Sequence, residues 1–218
     1  MQQHESTEKT VGIGNTTLNC KLSLGHDVVL PIAYALKDIM LDSEYRYLIK
    51  NHSSMIAFSM LDAYKDRMVG IKTRHGVIVA TASGVSKTAL IMRNDIGTMF
   101  VIKYGRTPYN KKNESYVVAR LNTNNDWKQQ VINQVATWDR FKGNREVIRH
   151  LLPCFKHFKN MNVVIEPYAE YVGNAKNHVS IQERADFMEA MNNIGLRDMH
   201  SGNIGIFNGK LVAIDYAI

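Results

Sequence analysis

The run LRDMHSGNIGIFNGKLVAID, residues 196–215, carries the strongest structural signal in the chain. Within it, Asn208-Gly209 stands between two runs rich in β-forming residues, which is the strongest short signal for a two-residue hairpin turn. The predicted cross-strand pairs are Phe207 with Lys210, Ile204 with Ala213, and Asn203 with Ile214. This register makes Asn203 and Asp215 diagonal neighbours at the open end of the hairpin.

A metal site at this open end requires the strand pairing to loosen or bulge, because a strict ladder points Asn203 and Asp215 to opposite faces. A carboxylate and a carboxamide are the hard oxygen donors that Mg²⁺ accepts alongside water and substrate phosphates. Asp198, on the preceding loop, is then placed to orient a hydroxyl. Alternatively, these are ordinary residues that cap a helix, bond a turn and end a strand. The combined pattern favours a phosphoryl-transfer site.

Composition limits the classes of partner and compartment. The net charge of +7 indicates acidic partners such as nucleotide phosphates, acidic protein surfaces or nucleic acid, without choosing among them. Cys20 and Cys154 are too few and too unpatterned for a disulfide framework or a zinc site, so we expect a reducing cytoplasm. Residues 1–10 have no signal-peptide pattern, and no apolar run predicts contact with a membrane.

Four segments are predicted along the chain: a flexible polar arm over residues 1–24, a helical segment over 25–68, a sheet with a helix over 69–165, and a final segment over 166–218. In the helical segment, Val28–Leu41 predicts one helix, and Ser43 is a plausible cap for a longer helix that reaches Met68.

From Val69 onward the periodicity becomes that of strands. Strands are predicted at Gly76–Ala82, Thr88–Met92, Thr98–Tyr104, Cys154–Phe158 and Asn162–Ile165, and helices at Trp127–Phe141 and Asn144–Leu152. Residues 106–125 are polar and predict an exposed basic insertion. A last helix begins at the capping box of Ser180 and Glu183 and stops at Gly195.

Two positions in the predicted sheet are candidates for phosphate binding. Gly84, in a turn between strands, permits close backbone approach to phosphates. The following Ser86-Lys87-Thr88 is not a Walker A motif, because it lacks the glycine before the lysine and precedes a strand. Lys103 ends an apolar strand, and its ammonium either meets a phosphate or forms a surface salt bridge.

Glu166 begins a third candidate segment, where an apolar strand leaves into Pro167-Tyr168. Exposed backbone groups there either read an adenine edge or simply start a loop.

In this order, the features resemble the protein-kinase-like fold over residues 70–218. The run from Asp198 to Ile204 looks most like early-gene serine/threonine kinases of lytic bacteriophages, and is also similar to small bacterial kinase-like and aminoglycoside-phosphotransferase-like proteins. The implied fold is α+β, with a small antiparallel N-lobe sheet, an abbreviated helical C-lobe and extra N-terminal helices. The resemblance implies that Lys103 contacts the α- and β-phosphates of ATP, Val101 lies over adenine, Glu166 to Tyr168 form the hinge, Asp198 meets the acceptor hydroxyl, and Asn203 and Asp215 bind Mg²⁺.

The chain also departs from that family pattern. Its phosphate loop keeps only Gly84, with Ala82 and Lys87 at the flanking glycine positions. Gln134 stands where a helix glutamate would pair with Lys103, and His200 stands where such kinases carry a lysine near the transferring phosphate. The sequence ends three residues after Asp215, so the helices at 28–68 or a partner subunit, including a second copy of the chain, are expected to replace a lower lobe.

The implied function is ATP- and Mg²⁺-dependent phosphorylation of serine or threonine on host proteins by a phage-type kinase in the bacterial cytoplasm. The alternative is a kinase-like protein that binds and inhibits a host partner without catalysis. A small-molecule phosphotransferase ranks last, because no C-terminal lobe is available on which to build its substrate pocket.

Overall fold

The computed structural model describes residues 29–53, 55–84, 87–105, 127–154, 156–158, 163–172 and 179–216. Its helices are α1 Val29–Ala35, α2 Asp42–Lys50, α3 Met55–Met68, α4 Trp127–Phe141, α5 Arg145–Ile148 and α6 Ile181–Asn193. Its strands are β1 Lys72–Thr73, β2 Gly76–Ser83, β3 Lys87–Arg93, β4 Met99–Gly105, β5 Lys156–Phe158, β6 Val163–Pro167, β7 Glu170–Tyr171, β8 Ile204–Phe207 and β9 Lys210–Ala213. The predicted arm at 1–24 and the basic insertion at 106–125 lie outside these residues.

Strands β1 to β6 form one antiparallel sheet in the order β1-β2-β3-β4-β6-β5, and β7-β8-β9 form a second, smaller one. In the large sheet Ala89 pairs with Lys103, Ile91 with Val101, and Val101 in turn with Glu166. These pairs share one face of the sheet, because side chains alternate along each strand. The predicted α+β class with antiparallel sheets is confirmed.

The opposite face of the large sheet is covered by α1, α2 and α3. Their apolar side chains form one core with those of β2, β3, β4 and β6; its fully buried members include Ile32, Leu48, Met60, Leu61, Met68, Leu90, Met92, Phe100 and Ile102. Burial of this surface holds the helices on the sheet. The described N-terminal helices therefore do not replace a lobe beneath the loop at 198–203, because their apolar faces pack on the back of the sheet.

The N-terminal helices are shorter than the sequence predicts. The first ends at Ala35, and the predicted single helix capped by Ser43 is two helices, with Leu41 at the N-cap of α2. At the break, the Asn51 amide donates to the Tyr47 carbonyl at 2.8 Å, and a His52 ring nitrogen lies 2.8 Å from the Ile49 carbonyl oxygen. Such local side-chain bonds compete with continuation of a helix.

The hairpin of β8 and β9 has the predicted register. Phe207 pairs with Lys210 and Ile204 with Ala213, and both turn residues have positive φ, at 52° for Asn208 and 76° for Gly209. This is the backbone that an Asn-Gly turn of type I′ requires.

The hairpin belongs to a second core, in which α4, α5 and α6 pack against β9 through Trp138, Leu151, Phe187, Met191, Leu211 and Val212. Ser180 caps α6 as predicted, accepting from the Glu183 amide at 3.0 Å. The Glu183 carboxylate does not complete the capping box but accepts from the Leu211 amide at 3.0 Å, which ties α6 to β9.

The predicted helix at 144–152 is helical only over Arg145–Ile148, because the residues beyond it bond to β9 instead. The Ala213 amide donates to the His150 carbonyl at 2.8 Å, and the Leu152 amide donates to the Ala213 carbonyl at 3.0 Å. Both backbone polar groups of Ala213, at the end of β9, are thus bonded to residues 150–152. In the described part of the chain, no helix is both long and apolar enough to span a bilayer.

Candidate functional site

A cleft of about 580 Å³ lies between the front face of the large sheet and the hairpin. Its lining consists of apolar side chains from both sides together with polar residues, which include two lysines and two carboxylates. The lining residues are Ala82, Ser83, Gly84, Lys87, Ala89, Ile91, Val101, Lys103, Leu152, Glu166, Tyr168, Ala169, Tyr171, His200, Gly202, Asn203, Ile214 and Asp215. The volume is that of a small-molecule site.

Asn203 and Asp215 reach the cleft together because the ladder ends before them. The last β8–β9 pair is Ile204 with Ala213, and Ser201–Asn203 forms a 3₁₀ turn. The Ile214 amide still donates to the Asn203 carbonyl at 2.9 Å, so the two segments stay adjacent as the regular pairing stops. The loosening that the sequence requires at this end is present.

The donor set at this end fits Mg²⁺. The Asn203 Nδ2 donates to the Asp198 carbonyl at 2.8 Å, which turns the amide nitrogen toward the loop. Its Oδ1 and the Asp215 carboxylate are hard oxygen donors, and Mg²⁺ completes such a pair with water and phosphate oxygens. Among the described residues no group of three or more His, Cys, Asp and Glu side chains could hold a metal, so a purely protein-made cage is not formed there.

Lys103 is held by a buried carboxylate. Its Nζ lies 2.6 Å from Glu166 Oε2 and also donates to the Ile214 carbonyl. Glu166 is wholly buried, and its other oxygen accepts from Gln134 Nε2 on α4. The helix thus contributes an amide, which positions a carboxylate supplied by the neighbouring strand β6.

The charges of this pair depend on each other. Burial raises the pKa of Glu166, and the Lys103 ammonium opposes that rise. Burial also disfavours the ammonium, but Glu166 and Asp215 outweigh it, so the pKa of Lys103 is raised. Lys103 therefore stays protonated, and its charge is what stabilises an ionised Glu166.

Behind Glu166 lie two further titratable groups. The Cys154 Sγ is 3.9 Å from Glu166 Oε1 and 3.4 Å from the Tyr216 hydroxyl, which donates to the Leu152 carbonyl at 2.6 Å. Burial, followed by the charge of Glu166, raises the pKa of Cys154 to about 12. Burial likewise raises the pKa of Tyr216 well above its ordinary value. Both groups stay neutral at physiological pH.

The loop before the hairpin is open to solvent. The Asp198 side chain is 84% exposed and lies 3.8 Å from Nε2 of His200, which lines the cleft. The Gly202 amide donates to His200 Nδ1 at 3.0 Å, so Nδ1 is unprotonated and Nε2 carries the hydrogen facing Asp198.

Most of the predicted site residues meet in this one cleft: Gly84, Val101, Lys103, Glu166, Tyr168, His200, Asn203 and Asp215 line it, with Asp198 beside it. Gln134 does not line it, since α4 lies behind Glu166. Glu166 is also not in the segment after the strand: β6 continues through Pro167, and its side chain points inward to Lys103. The regular strand therefore ends at Pro167, and the irregular backbone begins at Tyr168.

The residue that sequence reasoning missed is Lys87, which pairs with Asp215 across the cleft. A signal was available, because Lys87, Ala89 and Ile91 alternate along one face of β3, the face that Val101 and Lys103 share on β4. The neighbour Thr88 faces the other way, where it donates to Asp62 on α3 at 2.5 Å.

No protein-family model and no curated protein matches this chain. Solved structures do match, among them the Rio2 kinase of Chaetomium thermophilum, crystallised as an ADP/Mg²⁺-phosphoaspartate complex. The TM-score to that structure is 0.39, and the sequences are 13% identical. The alignment covers 74% of this chain and 53% of that chain, so this chain spans about half the length of the Rio2 structure it is similar to.

Proposed function

We propose that this chain is a protein-kinase-like phosphotransferase that moves the γ-phosphoryl group of ATP to a serine or threonine hydroxyl with the help of Mg²⁺. The single observation that carries this proposal is that Asn203 and Asp215 converge at the end of a hairpin and face Lys103 in one cleft. The motif around Asp198 extends the proposal to a phage-type kinase with a host protein as its acceptor.

The cleft suits a nucleotide in shape and in polarity. Apolar side chains of Ala89, Ile91 and Val101 form the sheet side, and Leu152 and Ile214 lie across from them. An adenine ring fits between such walls, because it presents large apolar faces and polar edges. Tyr168 and Ala169 line the cleft; the Tyr168 N–H donates to the Met99 carbonyl at 3.3 Å, so the Tyr168 carbonyl and the Ala169 backbone would read those edges.

The polar residues of the cleft divide the remaining work. Lys103, positioned by Glu166, would contact phosphate oxygens. Asn203 and Asp215 would hold Mg²⁺, which neutralises phosphate charge when bound. Asp198 would accept a hydrogen bond from the acceptor hydroxyl and orient it, and His200 would donate from Nε2 near the transferring group. Catalysis of this kind rests on positioning and charge.

The exposure of Asp198 supports a macromolecular acceptor. A small molecule would need walls around the acceptor hydroxyl, whereas the described residues leave this carboxylate 84% exposed. A serine or threonine on the surface of an acceptor protein can reach an exposed carboxylate, because the acceptor protein itself encloses the hydroxyl.

One observation favours the second candidate, a kinase-like protein that binds a host partner without catalysis. Asp215 Oδ1 is paired with Lys87, so the Lys87 ammonium competes with a metal for this carboxylate. If that pair persists in solution and keeps the metal off Asp215, phosphoryl transfer would not occur.

The test is label transfer from γ-³²P-ATP and Mg²⁺ to bacterial lysate proteins, with wild type and Asp215→Asn compared at equal concentration. The exposed Asp139→Asn is the control for loss of one negative charge. We expect transfer by wild type and the control, and a loss of about 100-fold or more in Asp215→Asn, since the metal ligand is removed. Acid hydrolysis of the labelled proteins identifies the acceptor as phosphoserine or phosphothreonine. ATP binding without transfer by wild type would select the second candidate.

A further inference from the structure

Lys87 crosses the cleft from the first residue of β3 to the Asp215 carboxylate, 128 residues later in the chain. Its side chain is 8% exposed, whereas the Asp215 side chain is 42% exposed. Burying a lysine to this extent requires a compensating charge. Lys87 is therefore a buried, charge-paired residue of the cleft and not an exposed surface lysine.

Lys87 and Lys103 stand close together on the same face of the sheet. Ala89, two residues after Lys87, is the direct partner of Lys103 in the β3–β4 ladder. Their negative partners in the cleft are Asp215 and Glu166, so two cations balance two anions. Glu166 is sealed behind Lys103, while Asp215 is open to the cleft. A divalent cation on Asp215 would leave Lys87 without its counter-charge.

The turn before β3 bears on whether such a cation could bind phosphate. The Gly84 amide donates to the Lys87 carbonyl at 2.8 Å, so the one glycine of this loop uses its N–H to close the turn. That N–H is then not directed at a ligand. A cation beside this turn can therefore contact a phosphate where the Gly84 N–H does not.

We propose that Lys87 is a polyphosphate-binding residue of this cleft. Its ammonium contacts Asp215 in the absence of nucleotide, and it moves to the terminal phosphate oxygens when Asp215 binds Mg²⁺. Lys87 thereby supplies by side chain what a glycine-rich loop supplies by backbone. The assignment rests on the proposed nucleotide site and adds to it a specific contact with the phosphates.

The test is isothermal titration calorimetry with ATP, ADP, AMP and adenosine in the presence of Mg²⁺. The variants are Lys87→Met, which keeps the apolar stem, Lys87→Arg, which keeps the charge, and Lys72→Met, an exposed lysine on β1 that controls for net charge. A charge-assisted hydrogen bond contributes roughly 10- to 100-fold in affinity. We expect Lys87→Met to lose that factor for ATP, less for AMP and none for adenosine. Lys87→Arg should recover part of it, and Lys72→Met should match wild type.

Adenosine binding also reports that each variant is folded. Equal or tighter ATP binding by Lys87→Met, with adenosine unchanged, would overturn the role of Lys87 and leave the nucleotide site intact, because Lys87 would then only compete for Asp215. Equal losses for adenosine and ATP would overturn it too, since the effect would not come from the phosphates. Wild type that binds no nucleotide at all would overturn the proposed function, and this inference with it.

Discussion

Lys103 and Glu166 occupy diagonal positions on adjacent antiparallel strands, and on the face of the sheet that lines the cleft Nζ and Oε2 are 2.6 Å apart. Lys103 is thus held by a carboxylate of the sheet itself. The helix α4 does not contact Lys103 through Gln134, which donates instead to Glu166. The strand register makes Lys103 and Glu166 diagonal neighbours, and α4 acts on this pair through the hydrogen bond from Gln134 to Glu166.

Glu166→Gln should destabilise the fold. It leaves the Lys103 ammonium buried without its ionic partner, which costs about 3 kcal/mol in comparable buried pairs. Urea unfolding at pH 7 measures the change. The control is Glu146→Gln, which removes an exposed carboxylate beside Arg149 and should change little. A Glu166→Gln variant as stable as wild type would show that the pair contributes nothing to folding.

Gln134→Glu should be harmful, although it restores the helix carboxylate that the family resemblance implies. It would place two carboxylates face to face in a buried site, where only one can ionise readily. Adding Glu166→Gln to it moves the negative charge onto α4 and should recover part of the lost stability. Unfolding of both single variants and the double variant forms a thermodynamic cycle. Additive losses in that cycle would mean that residues 134 and 166 do not interact.

Stability should fall in alkali partly through Cys154. Its pKa rises from 9.0 to about 12 on folding, so between these values the unfolded chain loses a proton that the folded chain keeps. Stability from this thiol is complete below pH 9 and is lost as pH rises toward 12, by about 1–2 kcal/mol at pH 10.5. Urea unfolding at pH 8 and 10.5 should show a smaller decline in Cys154→Ala than in wild type. Parallel declines would exclude the thiol as a contributor.

Gly205→Ala should disturb the cleft as well as the fold. A Cβ at this position would lie 2.8 Å from both Ala169 Cβ and Ile214 Cγ2. The resulting overpacking costs roughly 1–3 kcal/mol, and movement of Ile214 displaces the carbonyl that receives Lys103. Thermal unfolding and ATP titration should both report the change. Gly143→Ala is the matched control, since nothing lies within 4 Å of its Cβ; similar behaviour of the two variants would argue against a steric cause.

Local sequence signals predicted the elements whose causes are local. The Asn208-Gly209 turn set the register of its hairpin, the Ser180 cap started α6, and alternation located β2, β3 and β4. The long helix predicted from Ser43 failed because polar side chains at Asn51 and His52 bond to the preceding turn. The predicted helix at 144–152 ended early because Leu152 found a backbone partner on β9.

The sequence by itself determined that Asn203 and Asp215 lie at the same end of one hairpin, since the two-residue turn fixes the register and eleven residues separate the pair. The end of the regular ladder, which lets both side chains reach the cleft, is a feature of the folded structure. Only the tertiary structure decided the ionic partners: Glu166 for Lys103, Lys87 for Asp215, and Gln134 behind Glu166. Each of these contacts joins segments that are far apart in the chain and are brought together by sheet order and burial. Which charges pair depends on their distance and desolvation in the folded protein, and local sequence predicts neither quantity.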